Sequence, residues 1–314
     1  MQIYKYNGNT VKKSDNYLEL LFKDGSNLIT YPAHLTRYRK SLLNENEAES
    51  TIEIYIKTIE GFYKEYGYIT KENLILWKDR MITVKKYKPR TINQRINAVN
   101  KYLRFIDLSN YHLKTIRIPD CNFIDNAVSL RDYHRLQKKL LEDGNTRLYL
   151  IVTVLGTTGL RVSELTRLNI IDIKTDGFRV YSKRDRMRLI YFPPKVQKEL
   201  IAWAKSEGRY DLDDDEPLFL NRCGLRIDPR TIQSQLKRYG TKCHIQKLHP
   251  HALRHMFALS WLDRMSRLKG KGKIEYGVLP MLSQILGHQS LETTMIYLKP
   301  GAEQIKWYAQ HIDW

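Results

Sequence analysis

Residues 249–255 read His-Pro-His-Ala-Leu-Arg-His, and residues 286–297 read Leu-Gly-His-Gln-Ser-Leu-Glu-Thr-Thr-Met-Ile-Tyr. Pro250 cannot continue a preceding helix and favours an extended residue before it, so we predict a helix that begins near His251. Gly287 is predicted to end a second helix in the left-handed conformation, with a histidine just past the cap.

Spacing within this stretch separates an apolar side from a polar side. In the first helix, apolar residues recur at every fourth position: Leu253, Phe257 and Trp261. After the glycine, three apolar residues are spaced as the buried side of one more helix: Leu291, Met295 and Leu298. His251 and Arg254 lie three apart and share a different face of the first helix. Tyr297 lies off the second stripe, so we expect it to face a site shared with His251, Arg254 and His288.

His-x-x-Arg, then Leu-Gly-His, then a tyrosine nine residues after that histidine resembles the tyrosine recombinase (phage integrase) family. The earlier Thr-Gly-Leu-Arg-Val-Ser-Glu-Leu at 158–165 is similar to the family's first arginine motif. The resemblance spans residues 30–300 and is clearest from residue 128 onward. It implies a mainly α fold with a small antiparallel β-sheet, in which a helical core-binding domain precedes a mixed α/β catalytic domain.

The composition favours a folded protein that binds a polyanion. A chain of 314 residues suggests two domains, and 53 Lys and Arg against 34 Asp and Glu give a formal charge of +19. The positive charges recur along the chain, which favours a nucleic-acid-binding surface over a terminal tail. Three cysteines far apart, Cys121, Cys223 and Cys243, suggest neither a disulfide framework nor a metal site. With a polar N-terminus and no long apolar run, we expect a cytoplasmic, nucleoid-associated protein.

Changes in pattern along the chain predict its domain boundaries. We predict an N-terminal appendage at 1–28 with a hairpin around Asp24-Gly25, a helical core-binding (SAM-like) domain at 29–108, and a linker at 109–127. The catalytic domain follows at 128–314 and ends in a C-terminal tail helix. Within the helical domain, Ser50 and Glu53 are predicted to form a capping box. The nearly apolar run at 148–155 predicts a buried helix.

A strong helix after Pro89 carries a basic face opposite its apolar stripe. This face and the residues before it supply the predicted DNA contacts of the helical domain: Lys86, Lys88, Arg90, Arg95, Lys101 and Arg104. A basic face is ordinarily just solvated, but in a chain this basic it is also typical of a helix that lies on phosphates. Residues 178–181 and 189–192 are predicted strands of a hairpin, and its turn adds Arg184 and Arg186 as DNA contacts.

The resemblance implies a role for each residue of the predicted site. Tyr297 is the nucleophile, and a phenol, whose ordinary pKa is about 10, needs neighbouring positive charge to attack phosphorus at neutral pH. The phosphate clamp comprises four residues: Arg161, His251, Arg254 and His288. Glu164 orients Arg161, and His251 also positions or deprotonates Tyr297. Lys183 on the hairpin matches the family's general acid by position, although Arg184, Arg186 and Arg188 are alternatives. A zinc cluster of His249, His251, His255 and His288 is a competing interpretation that lacks a cysteine or carboxylate ligand.

The expected function is site-specific DNA recombination through a covalent 3′-phosphotyrosyl intermediate, with no metal or ATP required because the phosphotyrosine stores the bond energy. The resemblance implies double-stranded DNA held in a C-shaped clamp, a dimer on one site, a homo-tetramer on two sites, and accessory DNA-bending proteins. The alternatives are a type IB topoisomerase-like enzyme and a non-catalytic DNA-binding protein. The basic residues at 267–273 suggest an inserted surface loop. The tail at 302–314 could fold back on its own domain, but the resemblance implies that it packs on a neighbouring subunit.

Overall fold

A computed structural model of the chain describes residues 33–118, 128–181, 187–268, 277–288 and 290–298, the side chains of 33, 34, 266 and 268 excepted. It also describes the backbone of four strands before them. Lys183, Arg184, Arg186, residues 119–127 and 269–276, and the tail at 302–314 lie outside the described residues. The chain divides into two compact units, Met1–Asp120 and Cys121–Trp314. In the described part of the chain, no helix combines the length and apolar character that a membrane crossing requires.

The first unit begins with a four-stranded antiparallel sheet. Its strands follow one another in sequence order: β1 (Ile3–Tyr6), β2 (Asn9–Ser14), β3 (Tyr17–Leu21) and β4 (Asn27–Thr30). Leu20 of β3 is opposite Leu28 of β4. The hairpin predicted around positions 24 and 25 is therefore confirmed in its two flanking strands.

Four helices form the rest of the first unit: α1 (Ala33–Asn44), α2 (Glu49–Tyr66), α3 (Lys71–Thr83) and α4 (Pro89–Phe105). The stripe predicted on α4 is buried in the core of this unit. The capping box predicted at Ser50 and Glu53 is wrong. α2 begins at Glu49 after Ala48, which makes no side-chain cap, and Ser50 already lies in the first turn.

The segment after α4 is bound to that helix. After a 3₁₀ turn at Ser109–Tyr111, Leu113 N–H donates to Asn100 Oδ1 and Leu113 C=O accepts from Asn100 Nδ2, both at 2.9 Å. Asn93 makes the same two bonds to Ile116, both at 2.8 Å. These amide pairs satisfy buried backbone groups as a neighbouring strand would. Residues 113 and 116 of the linker predicted at 109–127 therefore pack on α4 of the first unit, and the linker itself remains a prediction.

The second unit is helical around one small antiparallel hairpin. Its described elements run in this order: α5 (Leu130–Glu142), α6 (Thr146–Thr158), α7 (Val162–Leu165), α8 (Ile170–Lys174), β5 (Phe178–Tyr181), β6 (Met187–Ile190), α9 (Pro194–Ser206), α10 (Pro229–Lys242), α11 (Pro250–Leu268), α12 (Val278–Leu286) and α13 (Leu291–Met295). A 3₁₀ turn at Ile296–Leu298 follows. The predicted buried helix is α6, which lies at the centre and contacts α5, α9 and α11. The mainly α fold with a small antiparallel sheet is confirmed.

The last described helix turns its other side inward. The prediction that Leu291, Met295 and Leu298 form its buried side is wrong, because they are 44%, 49% and 40% exposed. Thr294 and Tyr297 are buried instead, at 0% and 6%. Both polar side chains have hydrogen-bond partners inside the unit, so their burial carries little desolvation cost.

Candidate active site

Three arginines converge on the C-terminal end of α12. Arg188 Nε donates to the Ile285 carbonyl at 3.0 Å, Arg254 Nη2 donates to the Leu286 carbonyl, and Arg161 Nη2 donates to the Gly287 carbonyl at 3.0 Å. The last carbonyls of a helix have no partner within it and carry the negative end of its dipole. The end of α12 thus holds three guanidinium groups in one place.

Gly287 makes this convergence possible. It ends α12 in the left-handed conformation, with φ of 64°, as the sequence predicts. A Cβ at this position would lie 2.7 Å from Arg188 Nη1, so a side chain here would displace the guanidinium. The backbone N–H groups of Gly287 and His288 close the helix end on Gln284 and Ser283.

Arg161 precedes α7 and is oriented by Glu164, as predicted from the sequence. Its Nη1 donates to Glu164 Oε1 at 2.9 Å, and its backbone N–H donates to Glu164 Oε2 at 2.7 Å. The Glu164 side chain is only 4% exposed, whereas that of Arg161 is 31% exposed. The carboxylate is thus a buried anchor, and Arg161 keeps an edge open to solvent.

Arg188 is a residue of this site that sequence reasoning considered only as an alternative acid. It lies on β6, and its two terminal nitrogens donate to the two Glu164 oxygens at 2.9 and 2.6 Å. Burial by itself would raise the pKa of Glu164, but the hydrogen bonds from Arg188 and Arg161 outweigh it and hold that pKa below its ordinary value. The guanidinium of Arg188 is committed to this pair, which makes it a poor proton donor.

Arg254 on α11 is 4% exposed. Besides the α12 carbonyl, it donates to the Gly159 carbonyl at 2.7 Å, at the left-handed end of α6. Burial, together with the charge of Arg161, lowers the pKa of Arg254 to about 10. The group therefore stays charged at neutral pH while most of its water shell has been removed, which strengthens its attraction for an anion.

The buried phenol of Tyr297 lies between two histidines. Its hydroxyl is 2.9 Å from His255 Nδ1, and its ring is stacked nearly parallel to His288, with centroids 6.2 Å apart. His288 Nδ1 is in turn 2.8 Å from Thr294 Oγ1. Burial raises the pKa of Tyr297, while the charges of Arg254 and Arg161 act in the opposite direction. Tyr297 therefore belongs to the same electrostatic site as both arginines.

The remaining histidines differ in their contacts. His249 Nδ1 accepts from the Ala252 N–H at 3.1 Å and caps α11. The ring of His251 keeps an exposed edge, although desolvation and the charge of Arg254 lower its pKa. The contact with the Tyr297 hydroxyl that we expected for His251 is described for His255, one turn further along α11. Burial and the charge of His251 lower the pKa of His255 to about 4, and burial and the charge of Arg254 do the same for His288.

No group of three or more His, Cys, Asp or Glu side chains within the described ranges could hold a metal ion. The histidines of the zinc interpretation instead make the separate contacts given above: a helix cap for His249, a phenol for His255 and a threonine for His288.

The basic residues predicted to bind DNA on the first unit differ in their exposure and contacts. Lys86, Lys88 and Arg90 are exposed, and the described part of the chain shows no ion pair for them. Lys101, in contrast, contacts both Glu45 and Glu47 at 2.8 and 2.5 Å. Arg95 covers the Tyr87 ring at 4.4 Å from its centroid, and Arg104 is exposed on the same side of α4 as Lys101.

A groove beside the site, with two lysines in its lining, was not predicted from the sequence. An open cavity of about 1030 Å³ lies between α10 and the start of α11, and polar or basic side chains line much of it: Gln233, Lys237, Thr241, Lys247, His249 and His251. The available signal was the four-residue spacing of Gln233, Lys237 and Thr241 opposite a buried stripe on α10.

Comparisons with known proteins show which proteins the chain is similar to. A sequence profile of the phage integrase family matches residues 130–304. The chain is 30% identical over 270 residues to tyrosine recombinase XerA of Pyrococcus furiosus, an alignment that covers 83% of the chain and 87% of that protein. It is 24% identical to the TnP I resolvase of Bacillus thuringiensis, covering 86% of the chain and 96% of the resolvase.

Two solved structures share the fold at lower identity. One is a lambda integrase (75–356) dimer bound to a COC′ core site, with a TM-score of 0.63 and 15% identity, covering 84% of the chain and 97% of the integrase. The other is the XerH site-specific recombinase bound to palindromic difH substrate, with a TM-score of 0.62 and 18% identity, covering 89% and 84%.

Proposed function

The chain belongs to the phage integrase family of tyrosine recombinases, and from this premise we propose how its site cuts and rejoins DNA strands during site-specific recombination. The Tyr297 oxygen attacks the scissile phosphorus, the bond to the 5′ oxygen breaks, and a 3′-phosphotyrosyl link forms. A 5′ hydroxyl from a partner strand later attacks this link, restoring the DNA backbone and freeing the tyrosine.

Arg161 and Arg254 hold the phosphate in this proposal. Each guanidinium is already aimed by carbonyls at the end of α12, so little reorganisation is needed when the anion arrives. Such preorganised donors stabilise the charge that develops as phosphorus becomes pentacoordinate. His288, stacked on the phenol, and His251, at the rim, supply further hydrogen-bond donors. Lys183 protonates the leaving 5′ oxygen, a role that rests on the resemblance alone.

The observation that carries the proposal is the coupling of one tyrosine to both clamp arginines. Tyr297 is 6% exposed; burial raises its pKa, and the charges of Arg254 and Arg161 both oppose that rise. Of the chain's 21 tyrosines, this one also stands at the motif position. Because the phenol is buried in the free protein, we infer that its pocket opens when DNA binds.

Replacing Tyr297 with Phe tests the assignment. The ring and its packing remain, so the variant should bind DNA normally, but it should form no covalent complex with a suicide substrate on a denaturing gel. A variant that still traps DNA would place the nucleophile elsewhere, at Tyr276 or Tyr308. We further propose that no metal or ATP takes part, so wild-type trapping should persist in excess EDTA without nucleotide. Activity lost in EDTA and restored by zinc or magnesium would contradict that.

We propose that double-stranded DNA binds to two surfaces that carry lysine or arginine side chains. One comprises Lys86, Lys88 and Arg90 on the helical unit, and the other is the groove beside α10. Each phosphate contact releases counterions, so losing one lowers the salt slope of binding by about 0.9. Arg90→Ala should therefore lower the slope, whereas Lys101→Ala should change it less because two carboxylates already neutralise that lysine.

We also propose assembly as a dimer on one site and a tetramer on two, with accessory DNA-bending proteins, in the nucleoid of the cytoplasm. The relatives reported above are recombinases and a resolvase, so the topoisomerase alternative is not favoured.

A further inference from the structure

The Tyr297 hydroxyl contacts one basic side chain directly. His255 Nδ1 lies 2.9 Å from it, and the two rings meet at 57° with centroids 5.5 Å apart. This places Nδ1 of the imidazole within hydrogen-bonding distance of the phenolic oxygen. Both side chains are sheltered, since Tyr297 is buried and His255 half-buried, so water competes little for the contact.

The direction of this hydrogen bond follows from the charges around it. Burial and the charges of His251, His249 and Arg254 lower the pKa of His255 to about 4, so the imidazole is neutral at physiological pH. Burial likewise keeps the phenol protonated before DNA binds. A phenol with its proton and an imidazole with a free Nδ1 make one donor and one acceptor, with the ring proton of His255 on Nε2.

We propose that His255 is a catalytic residue that takes the phenolic proton of Tyr297 during strand cleavage, which deepens the function proposed above and rests on it. As the tyrosine oxygen bonds to phosphorus, its proton moves to Nδ1. The electron pair of the breaking bond goes to the 5′ oxygen, which takes its own proton from the general acid. In the rejoining step the incoming 5′ hydroxyl gives its proton to the general acid as its oxygen bonds to phosphorus. The bond between phosphorus and the tyrosine oxygen breaks, and Nδ1 returns its proton to that oxygen, so the cycle balances.

Bound DNA makes His255 a better base than it is in the free protein. Burial is the main cause of the lowered pKa of His255, and the charges of His251, His249 and Arg254 add to it; of these residues, His251 and Arg254 belong to the proposed phosphate clamp. A phosphodiester held there offsets their effect with its own negative charge, which favours a protonated imidazole nearby. Proton transfer is thereby linked to the presence of the correct substrate.

The other histidines of the site are arranged for different tasks. His288 stacks on the face of the Tyr297 ring, and its Nδ1 is occupied by Thr294. His249 Nδ1 is occupied by the backbone of α11. His251 has no described hydrogen bond to the phenol. Among the histidines that the structure describes, only His255 has a ring nitrogen within hydrogen-bonding distance of the Tyr297 hydroxyl oxygen.

Replacing His255 with Asn keeps a hydrogen-bonding side chain but removes the base. We expect DNA binding and melting temperature close to those of wild type, with single-turnover formation of the covalent complex slowed by about 100-fold or more. His134→Asn is the matched control, because His134 is an exposed histidine paired with Gln137 on α5. It should cleave at the wild-type rate.

A fluorinated tyrosine at position 297 separates proton transfer from positioning. Difluorotyrosine ionises more readily and needs less help from a base. It should therefore restore most of the rate lost in His255→Asn, measured against the same fluorotyrosine beside His255. If His255 only positions the ring, the His255→Asn variant with difluorotyrosine at position 297 should cleave as slowly as the His255→Asn variant with tyrosine there.

Two results would overturn the assignment: wild-type cleavage by His255→Asn, or no rescue by the fluorotyrosine. If the Asn variant does not fold, His255→Gln carries the same two tests. Tyr297→Phe run in parallel isolates the cause. Trapping by that variant would refute the nucleophile itself, whereas its inactivity alongside normal cleavage by His255→Asn would refute only the base.

Discussion

The buried pair of Arg188 and Glu164 permits a quantitative test of how the site is held. Their side chains are 9% and 4% exposed, and two hydrogen bonds of 2.9 and 2.6 Å join them. Removing one partner of a buried pair costs about 3–5 kcal/mol, because the other charge is left uncompensated. Arg161 still contacts Glu164 in the Arg188→Gln variant, so we expect the lower end, about 3 kcal/mol.

For a unit of this size, that loss corresponds to a fall of about 6–12 °C in melting temperature. Thermal and urea unfolding of the full chain would measure this loss of stability, with the unfolding of the first unit, Met1–Asp120, as an internal reference. Cleavage should fall as well, because Glu164 also orients Arg161 and Arg188 also holds the end of α12.

Arg267→Gln provides a matched control. Arg267 pairs with Asp263 four residues earlier on α11, but the two side chains are 78% and 54% exposed, so the change should cost less than about 0.5 kcal/mol. The double variant Glu164→Gln, Arg188→Gln removes both charges of the buried pair. Its free energy of unfolding should exceed the value expected from adding the losses of the two single variants by about 1 kcal/mol or more. If Arg188→Gln destabilises no more than Arg267→Gln, the pair does not anchor the site as we describe.

Three further outcomes follow from the site and the tail. In a 5′-phosphorothiolate substrate the leaving sulfur needs little protonation, so Lys183→Ala should regain cleavage while Arg254→Ala should not. If a neighbouring hairpin variant is rescued instead, that neighbour is the general acid. The pKa of His288 is about 4 in the folded chain against about 6.5 unfolded, so the unfolded chain binds more protons between these values. Stability should therefore decline as pH falls from about 6.5 to about 4, and His288→Asn should flatten that decline in urea titrations; an equally steep profile would count against a buried neutral ring. Deleting residues 302–314 should leave single-site DNA binding nearly intact but abolish synapsis and strand exchange, and normal recombination by the truncated protein would mean that the tail is only a local cap.

Local sequence determined the start of α11, the end of α12 and the motif positions of this protein. Pro250 opens α11, and the left-handed Gly287 closes α12, because proline and glycine restrict or free the backbone at their own positions. The apolar run at 148–155 predicts the buried helix α6, and Glu164 lies close enough in sequence to cap and orient Arg161. Each of these features depends on neighbours within about one helical turn.

Tertiary structure alone decided which polar groups meet. Arg188 reaches a carbonyl 97 residues away, and His255 reaches a phenol 42 residues away. Spacing placed Leu291, Met295 and Leu298 on the inner side of α13, yet the chain buries Thr294 and Tyr297 there. Periodicity measures only the apolar area on each side of a helix. It does not register that His288, just before α13, and His255, on α11, form hydrogen bonds with the Thr294 and Tyr297 hydroxyls. Those bonds offset the desolvation cost of burying the polar side.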